Sequence, residues 1–261
     1  LIAGHTNTMI EGLRHRIELL TALQLAEEVQ RTLLPAAPPR MAGLELSGTS
    51  LYCNETGGDY YDYVLLPGGR LGIVVADVSG HGIDAALFMA SARAFLRSEA
   101  ERYEGPARLA RDVNRYVAYD SGPTGRFISM FFLEIDPAAK TLRWVRAGHE
   151  PAVVYNAASA SFHALGGDGI AMGILEHAEY RDYRRGGWEP GSVVVIGTDG
   201  ITETRDAAGE FFGAERVRRV VAANASRPAG AIQAAVIEAV RDFRGQAPQE
   251  DDVTLVVVKL A

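Results

Sequence analysis

Hydrophobic residues form short runs typical of strands and longer periodic runs typical of helices. Strands are predicted over 44–52, 60–66, 71–76, 127–135, 141–147, 152–155, 192–197 and 253–260. Helices are predicted over 83–102, 106–119, 214–225 and 229–243. Several strands follow one another across short turns, as at Gly68-Gly69 and Asp136-Pro137, which is typical of antiparallel hairpins. Because the helices come as two pairs rather than between strands, the predicted class is α+β: antiparallel sheet covered by helix pairs.

A long helix is predicted over residues 9–34, which end at the stiff segment beginning with Pro35. Leu13, Ile17 and Leu20 follow a heptad, but the apolar positions from 17 to 26 are then three residues apart, a stammer that overwinds a coiled coil. Two interpretations stay open: a helix packed on its own domain, or a signalling linker that joins a dimer. We therefore divide the chain into a helical linker, 1–40, and a second domain, 41–261.

Four aspartates stand at the ends of predicted buried strands. Asp77 and Asp199 close apolar runs, whereas Asp59 and Asp251 directly precede strands. If neighbouring strands run antiparallel, two strands that end and two that begin at one edge bring all four carboxylates to the same rim. Carboxylates packed this closely repel one another unless cations lie between them, and oxygen ligands favour Mg²⁺ or Mn²⁺ over zinc.

Composition narrows the function classes without naming one. The chain has 261 residues, 48% of them hydrophobic, which suffices for a sizeable core. Its net charge of −7 argues against broad nucleic-acid binding. The single cysteine, Cys53, excludes an intrachain disulfide and fits a reducing, cytoplasmic setting. We expect no membrane contact from this segment, and its start at Leu1, in mid-pattern, indicates a piece of a longer protein.

Five ordered motifs resemble those of the bacterial SpoIIE-like (RsbU-like) serine/threonine phosphatases, a branch of the PPM, or type 2C, superfamily. They are Gly57-Gly58-Asp59-Tyr60-Tyr61-Asp62, Ala76-Asp77-Val78-Ser79-Gly80-His81-Gly82, Ala147-Gly148-His149-Glu150-Pro151, Thr198-Asp199-Gly200-Ile201-Thr202-Glu203 and Asp251-Asp252-Val253-Thr254. The resemblance runs from about Ala26 to the C-terminus and includes the segment 30–35. It implies an αββα sandwich for 41–261, with two Mn²⁺ or Mg²⁺ ions at one edge of the sheets.

The resemblance also implies a role for each acid. Asp77 would bridge both ions and the carbonyl of Val78 would complete one shell, while Asp59 would hold one ion. Asp199 and Asp251 would hold the other, with Asp251 preferred to its neighbour in sequence because the first acid of this motif is the usual ligand. Asp77 and Asp199 are thus the predicted catalytic residues. The implied reaction is attack on a phosphoserine or phosphothreonine by a metal-activated water.

Several other polar residues could have either a functional or a structural role. His81 is a candidate for proton transfer or for shaping the turn before the helix 83–102, and His149 is expected to be a structural hydrogen-bonding residue. Asp62 and Asp252 are expected to adjust the four aspartates of the cluster by interacting with them, without being metal ligands themselves. Arg126 is a candidate for capturing phosphate.

Expected partners follow from the resemblance alone. The substrate would be a phosphorylated STAS-type anti-anti-sigma factor, and an upstream sensor or receiver domain would regulate the enzyme. A homodimer through the N-terminal helix is a further expectation. The alternatives are a catalytically weak module that binds such a partner, and a metallohydrolase of small phosphoesters.

Overall fold

Runs of strands are separated by pairs or groups of helices in the computed structural model, which describes residues 2–122 and 124–261. The helices are α1 (Ile2–Leu33), α2 (Ile83–Ala100), α3 (Pro106–Ser121), α4 (Asp199–Thr202), α5 (Gly213–Asn224) and α6 (Ala229–Arg244). The strands are β1 (Leu44–Leu51), β2 (Tyr60–Leu66), β3 (Arg70–Val78), β4 (Ile128–Asp136), β5 (Thr141–Ala147), β6 (Ala152–Asn156), β7 (Ser161–Leu165), β8 (Tyr183–Gly186), β9 (Val193–Gly197) and β10 (Val253–Leu260).

The strands form two five-stranded sheets. Sheet I has the order β2-β3-β4-β5-β8, and sheet II has the order β1-β10-β9-β6-β7. Neighbouring strands are antiparallel in both sheets. Helices α2 and α3 cover the outer face of sheet I, and α5 and α6 cover that of sheet II. The predicted αββα sandwich preceded by a long helix is therefore confirmed.

Three apolar layers hold the sandwich together: one between the two sheets, and one between each sheet and its helix pair. The inner strands are therefore buried on both faces. In β3, Ile73 and Val75 face the core between the sheets, while Val74 and Ala76 face the helices α2 and α3. This two-sided burial explains why the central strands read as continuous apolar runs rather than as alternating ones. The inter-sheet core also sets the distance between the two sheets.

The predicted elements agree with the observed ones to within two residues, except that α1 begins earlier than residue 9. Strands β7 and β8 and the short helix α4 were not predicted. β7 and β8 are short edge strands with partly exposed side chains: polar residues interrupt the apolar ones in β7, and arginines occupy the middle of β8, so neither carries an apolar run. Their pairing with β6 and β5 creates them, and pairing is not visible in a local pattern.

Helix α1 contacts the sandwich towards its C-terminal end, where Gln30 is buried and α2 lies alongside. Further up the helix, Leu13 and Ile17 are 51% and 62% exposed. Both interpretations of this helix therefore keep some support: one end packs on the domain, and the other presents apolar side chains. Across the ranges that the structure describes, no helix is long and apolar enough to cross a membrane.

Candidate metal centre

The acid cluster lies where the apolar space between the sheets ends. Tyr61 in β2 and Val75 in β3 face this space. Because side chains alternate along a strand, Asp59 and Asp77 continue the same two rows. β2 and β3 are antiparallel, so the start of one lies beside the end of the other. Sheet I thus contributes two carboxylates to one end of the inter-sheet space.

Sheet II contributes the other two. Asp199 follows β9 as the first residue of α4, and Asp251 lies two residues before β10. β9 and β10 pair antiparallel with Leu255 opposite Gly197, which brings the end of β9 next to the start of β10. The alternation of strand direction therefore places the four acids as predicted from the sequence, two from each sheet.

The pKa values show that the carboxylates of the two sheets interact. Burial raises the pKa of Asp59 well above its ordinary value, and the charges of Asp77 and Asp252 raise it further. Burial is also the largest cause of the raised pKa of Asp77, followed by the charges of Asp199 and Asp251. The pKa of Asp251 is raised by burial and by Asp199. The acids therefore form one electrostatic unit that favours protons or cations.

The donors at this site match a divalent cation in chemical type. Carboxylate and carbonyl oxygens are the ligands that Mg²⁺ and Mn²⁺ prefer. The Val78 carbonyl lies against Gly58, where a Cβ atom would stand only 2.7 Å from the carbonyl oxygen, so glycine is required for this approach. In the described part of the chain, no three Asp, Glu, His or Cys side chains are arranged to hold an ion as they stand.

Asp252 differs from its neighbour Asp251 in what it touches. Its buried carboxylate accepts hydrogen bonds from the backbone N–H groups of Cys53, at 2.8 Å, and Gly58, at 2.9 Å. Those bonds fasten the loop 53–59, which carries Asp59, to the start of β10. Asp251 lies at the solvent-facing edge of the cluster, exposed on one side and buried on the side of the other acids enough to raise its pKa. Asp252 thus positions the loop, in keeping with its expected supporting role, and the geometry leaves the preference for Asp251 as a ligand intact.

A threonine joins the two halves of the cluster directly. The Thr198 hydroxyl donates to the Asp59 carboxylate at 2.8 Å and accepts from the Thr254 N–H at 3.1 Å. Because Thr198 follows β9 in sheet II and Asp59 precedes β2 in sheet I, this bond crosses between the sheets. Sequence reasoning missed it; the only signal was the position of Thr198 directly before Asp199.

Gln30 brings the N-terminal helix into the same structure. Its buried side-chain amide donates to the Gly57 carbonyl at 2.6 Å, and its side-chain oxygen accepts from the Gly57 N–H at 3.2 Å. Gly57 cannot be enlarged, because a Cβ atom there would lie 2.1 Å from the Asp252 carboxylate. The end of α1 is therefore hydrogen-bonded to the loop that bears Asp59. The sequence placed Gln30 in a family motif but offered no role for it.

His149 lies behind the cluster and has a structural role, as expected. Its Nδ1 is 2.7 Å from the hydroxyl of Ser129, which stands opposite Asp77 in the sheet. Burial lowers the pKa of His149 to about 4, so the ring is neutral at neutral pH. A neutral, enclosed imidazole supports β4 and the turn after β5 rather than carrying protons.

Three other candidates lie outside the cluster. Asp62 points to the opposite face of β2, where it forms two 2.7 Å hydrogen bonds with Arg97 of α2; the expectation that it tunes the acids is wrong because strand alternation reverses its direction. Arg126 is engaged by the Ser79 carbonyl and by Asp84, which occupies the first turn of α2. His81 is exposed in the turn before that helix.

The fold and the site define a class. Two antiparallel sheets between helix pairs, with carboxylates at one end of the inter-sheet space, are the architecture of the PP2C-type serine/threonine phosphatases. The profile of the family described as "Stage II sporulation protein E (SpoIIE)" matches residues 67–261. The chain therefore belongs to the SpoIIE family, which is metal-dependent.

Two curated relatives match most of the chain, and one of them is named a phosphatase. The chain is 30% identical to the phosphoserine phosphatase RsbU of Bacillus subtilis over 74% of its own length and 56% of that protein. It is 27% identical to the protein IcfG of Synechocystis over 90% of its own length and 41% of that protein. The chain thus spans about half the length of the curated relatives it matches.

Solved structures agree on the fold. The SiaA-PP2C domain of Pseudomonas aeruginosa superposes with a TM-score of 0.84 at 20% identity, covering 95% of this chain and 99% of that one. A structure of RsbX in complex with magnesium superposes with a TM-score of 0.62 at 14% identity, covering 85% and 98% of the two chains. At these identities the likeness concerns architecture.

The raised pKa values of Asp59, Asp77 and Asp251 predict how stability depends on pH without metal. A carboxyl group whose pKa is raised on folding binds protons more tightly in the folded state, so the free energy of unfolding falls as pH rises above its ordinary pKa of about 4. Urea unfolding in a chelator, from about pH 5 to about pH 8, is expected to show this fall. The Asp77→Asn variant should show a shallower one. Constant or rising stability in the unsubstituted protein would contradict the interaction among the acids.

Proposed function

We propose that this chain is a metal-dependent protein serine/threonine phosphatase whose two Mn²⁺ or Mg²⁺ ions are held by Asp59, Asp77, Asp199, Asp251 and the carbonyl oxygen of Val78. One observation carries the proposal: carboxylates from two sheets meet at one end of the inter-sheet core and raise one another's pKa values. Membership of the SpoIIE family supports the same assignment.

The proposed roles follow from where each group lies. Asp77, which interacts with acids of both sheets, would face both ions, and the Thr198 hydroxyl orients Asp59. Bound divalent ions would lower the pKa of a water and neutralise the phosphate oxygens. The protein's own task is to orient the phosphoester and the water for in-line attack.

A thiol-based phosphatase mechanism finds no support in this chain. Such a mechanism needs a thiolate, and a reactive cysteine has a lowered pKa. Burial, followed by the charge of Asp252, raises the pKa of the single cysteine, Cys53, to about 12. Its thiol therefore keeps its proton at neutral pH, and the proposal rests on the acid cluster.

Asp77→Asn is the sharpest test of the cluster. We expect the release of phosphate from a phosphoserine peptide with Mn²⁺ to fall by more than ~100-fold, because losing even a group that supports a metal ligand costs up to that much. The fold should persist, since the substitution removes a charge that its neighbours repel. Circular dichroism and thermal unfolding measure that persistence. Asp242→Asn, which changes an exposed acid of α6, is the matched control. A retained rate at saturating Mn²⁺ would show that the cluster is misassigned.

A phosphorylated STAS-domain protein is the substrate that we propose, in a partner-switching pathway. The relatives named phosphoserine phosphatases, RsbU and RsbP, support phosphoserine as the target. We expect a phosphoserine STAS protein to be dephosphorylated far more efficiently than p-nitrophenyl phosphate, as compared by kcat/KM. Equal efficiency would favour a hydrolase of small phosphoesters. Tight binding of the STAS protein without phosphate release would favour a non-catalytic module.

We further propose that α1 regulates the site, through a dimer and under an upstream sensor or receiver domain. The exposed apolar side chains of α1, including Leu13 and Ile17, suit contact with a second copy of the helix. Gln30, at the other end of α1, holds the loop that carries Asp59. A shift of the helix would thereby reach a proposed metal ligand.

Gln30→Ala tests this connection. The variant removes both hydrogen bonds to Gly57, so we expect the Mn²⁺ concentration for half-maximal binding to rise by about 10- to 100-fold, the usual effect of losing a group that orients a metal ligand. Isothermal titration calorimetry measures it. Gln24→Ala, at an exposed position of the same helix, should leave binding unchanged.

The dimer is tested separately. Removing residues 1–25 leaves Gln30 in place but deletes the exposed apolar part of α1. We expect this truncation to convert a dimer to a monomer in analytical ultracentrifugation and to change the rate of phosphate release. If neither property changed, regulation through dimerisation of α1 would be ruled out.

A further inference from the structure

A recess runs from the acid cluster along the sandwich to the end of α1. Its larger part is a cavity of about 500 Å³ bounded by α1, the end of β1 and the C-terminal half of α6. A smaller cavity of about 160 Å³ continues it and reaches Asp251. Thr204, Arg244 and Gln249 line both cavities, so the two form one groove. A chain that entered the acid cluster would have this groove beside it.

The larger cavity is basic, in contrast to the chain as a whole. Its charged lining residues are Arg31, Arg241, Arg244 and a single acid, Glu27, whereas the chain carries a net charge of −7. Arg31 forms a 2.7 Å ion pair with Glu27. Within the described residues, neither Arg241 nor Arg244 has a carboxylate within 4.0 Å. Two guanidinium groups at this end therefore lack an anionic partner within the chain.

Hydrogen bonds tie this basic end to the acid cluster. Arg244 donates to the Gln249 side chain at 3.0 Å. Gln249 in turn donates to the backbone carbonyl of Leu51, at 2.8 Å, and to that of Asp251, at 2.9 Å. These hydrogen bonds hold the backbone that lies between the arginines and Asp251. The fold therefore sets the distance between the two ends of the groove.

We propose that this groove, lined by Arg31, Arg241 and Arg244, binds an acidic segment of the phosphoprotein substrate next to the phosphorylated serine. The inference rests on the proposed phosphatase function and adds a substrate preference to it. Guanidinium groups pair with carboxylates through two parallel hydrogen bonds, which fix orientation as well as charge. An acidic segment held in the groove would present its neighbouring phosphoserine at the cluster end, past Gln249.

Two phosphoserine peptides that differ only in their flanks test the proposal, one with aspartates and one with lysines. We expect the unsubstituted protein to favour the acidic peptide by about tenfold in kcat/KM, mainly through KM, and to lose the preference at high salt. Arg241→Glu should bring the ratio to about one or invert it, because the reversed charge repels aspartate. Arg219→Glu, at an exposed position on α5 away from the groove, should keep the preference.

The outcomes separate the groove from the chemistry. Equal kcat/KM for the two peptides, or an acidic preference that survives Arg241→Glu, overturns the groove proposal while leaving phosphatase activity in place. If neither peptide released phosphate, the proposed function would fail, and fluorescence anisotropy of the labelled acidic peptide would still decide on the groove. Binding weakened by Arg241→Glu but not by Arg219→Glu supports it; equal binding by both variants overturns it.

Discussion

Repulsion among carboxylates that come from two different sheets is the constraint on which this structure depends. Asp59 and Asp77 belong to sheet I, and Asp199 and Asp251 to sheet II, so the distances within the cluster depend on how the sheets pack. The apolar inter-sheet core supplies the force that holds the sheets together against this repulsion. The acids lie at one end of that space, and their raised pKa values reflect the unfavourable burial and proximity of their charges.

Hydrogen bonds orient the groups around the cluster, because apolar packing sets the distance between the sheets but not the orientation of single side chains and loops. Thr198 reaches across the sheets to Asp59, and Asp252 fastens the loop 53–59 from the side of sheet II. Gln30 fastens the same loop from α1. The loop before β2 is therefore held by groups from three separate elements, and it is the part of the site that the proposed movement of α1 would reach. Asp77, within a central strand, has no such dependence.

The sequence allowed the strands and the rim of acids to be predicted, since both follow from local patterns: apolar runs, and aspartates where those runs stop. It did not reveal which sheet each strand joins, because pairing between distant segments leaves no local signal. The same limit explains the missed strands β7 and β8. Asp62 lies near Asp59 in sequence but not in space, because an odd step along the strand reverses the side chain. The roles of Thr198 and Gln30 are not predictable from sequence, because each consists of hydrogen bonds to residues far away in the chain.

The distribution of charge finally explains how an acidic protein could take a phosphorylated partner. A cluster of carboxylates repels a phosphate until cations bind, so the site alone cannot attract such a substrate over distance. Arg31 and Arg241 line only the larger cavity, at the far end of the groove, whereas Arg244 lines both cavities and Arg205 lines the one that reaches Asp251. Arg31 and Arg241 would attract an anionic segment from that end without neutralising the cluster. A basic far end and a mostly acidic near end of one groove would thus keep recognition of the partner and chemistry at the phosphate from competing for the same charges.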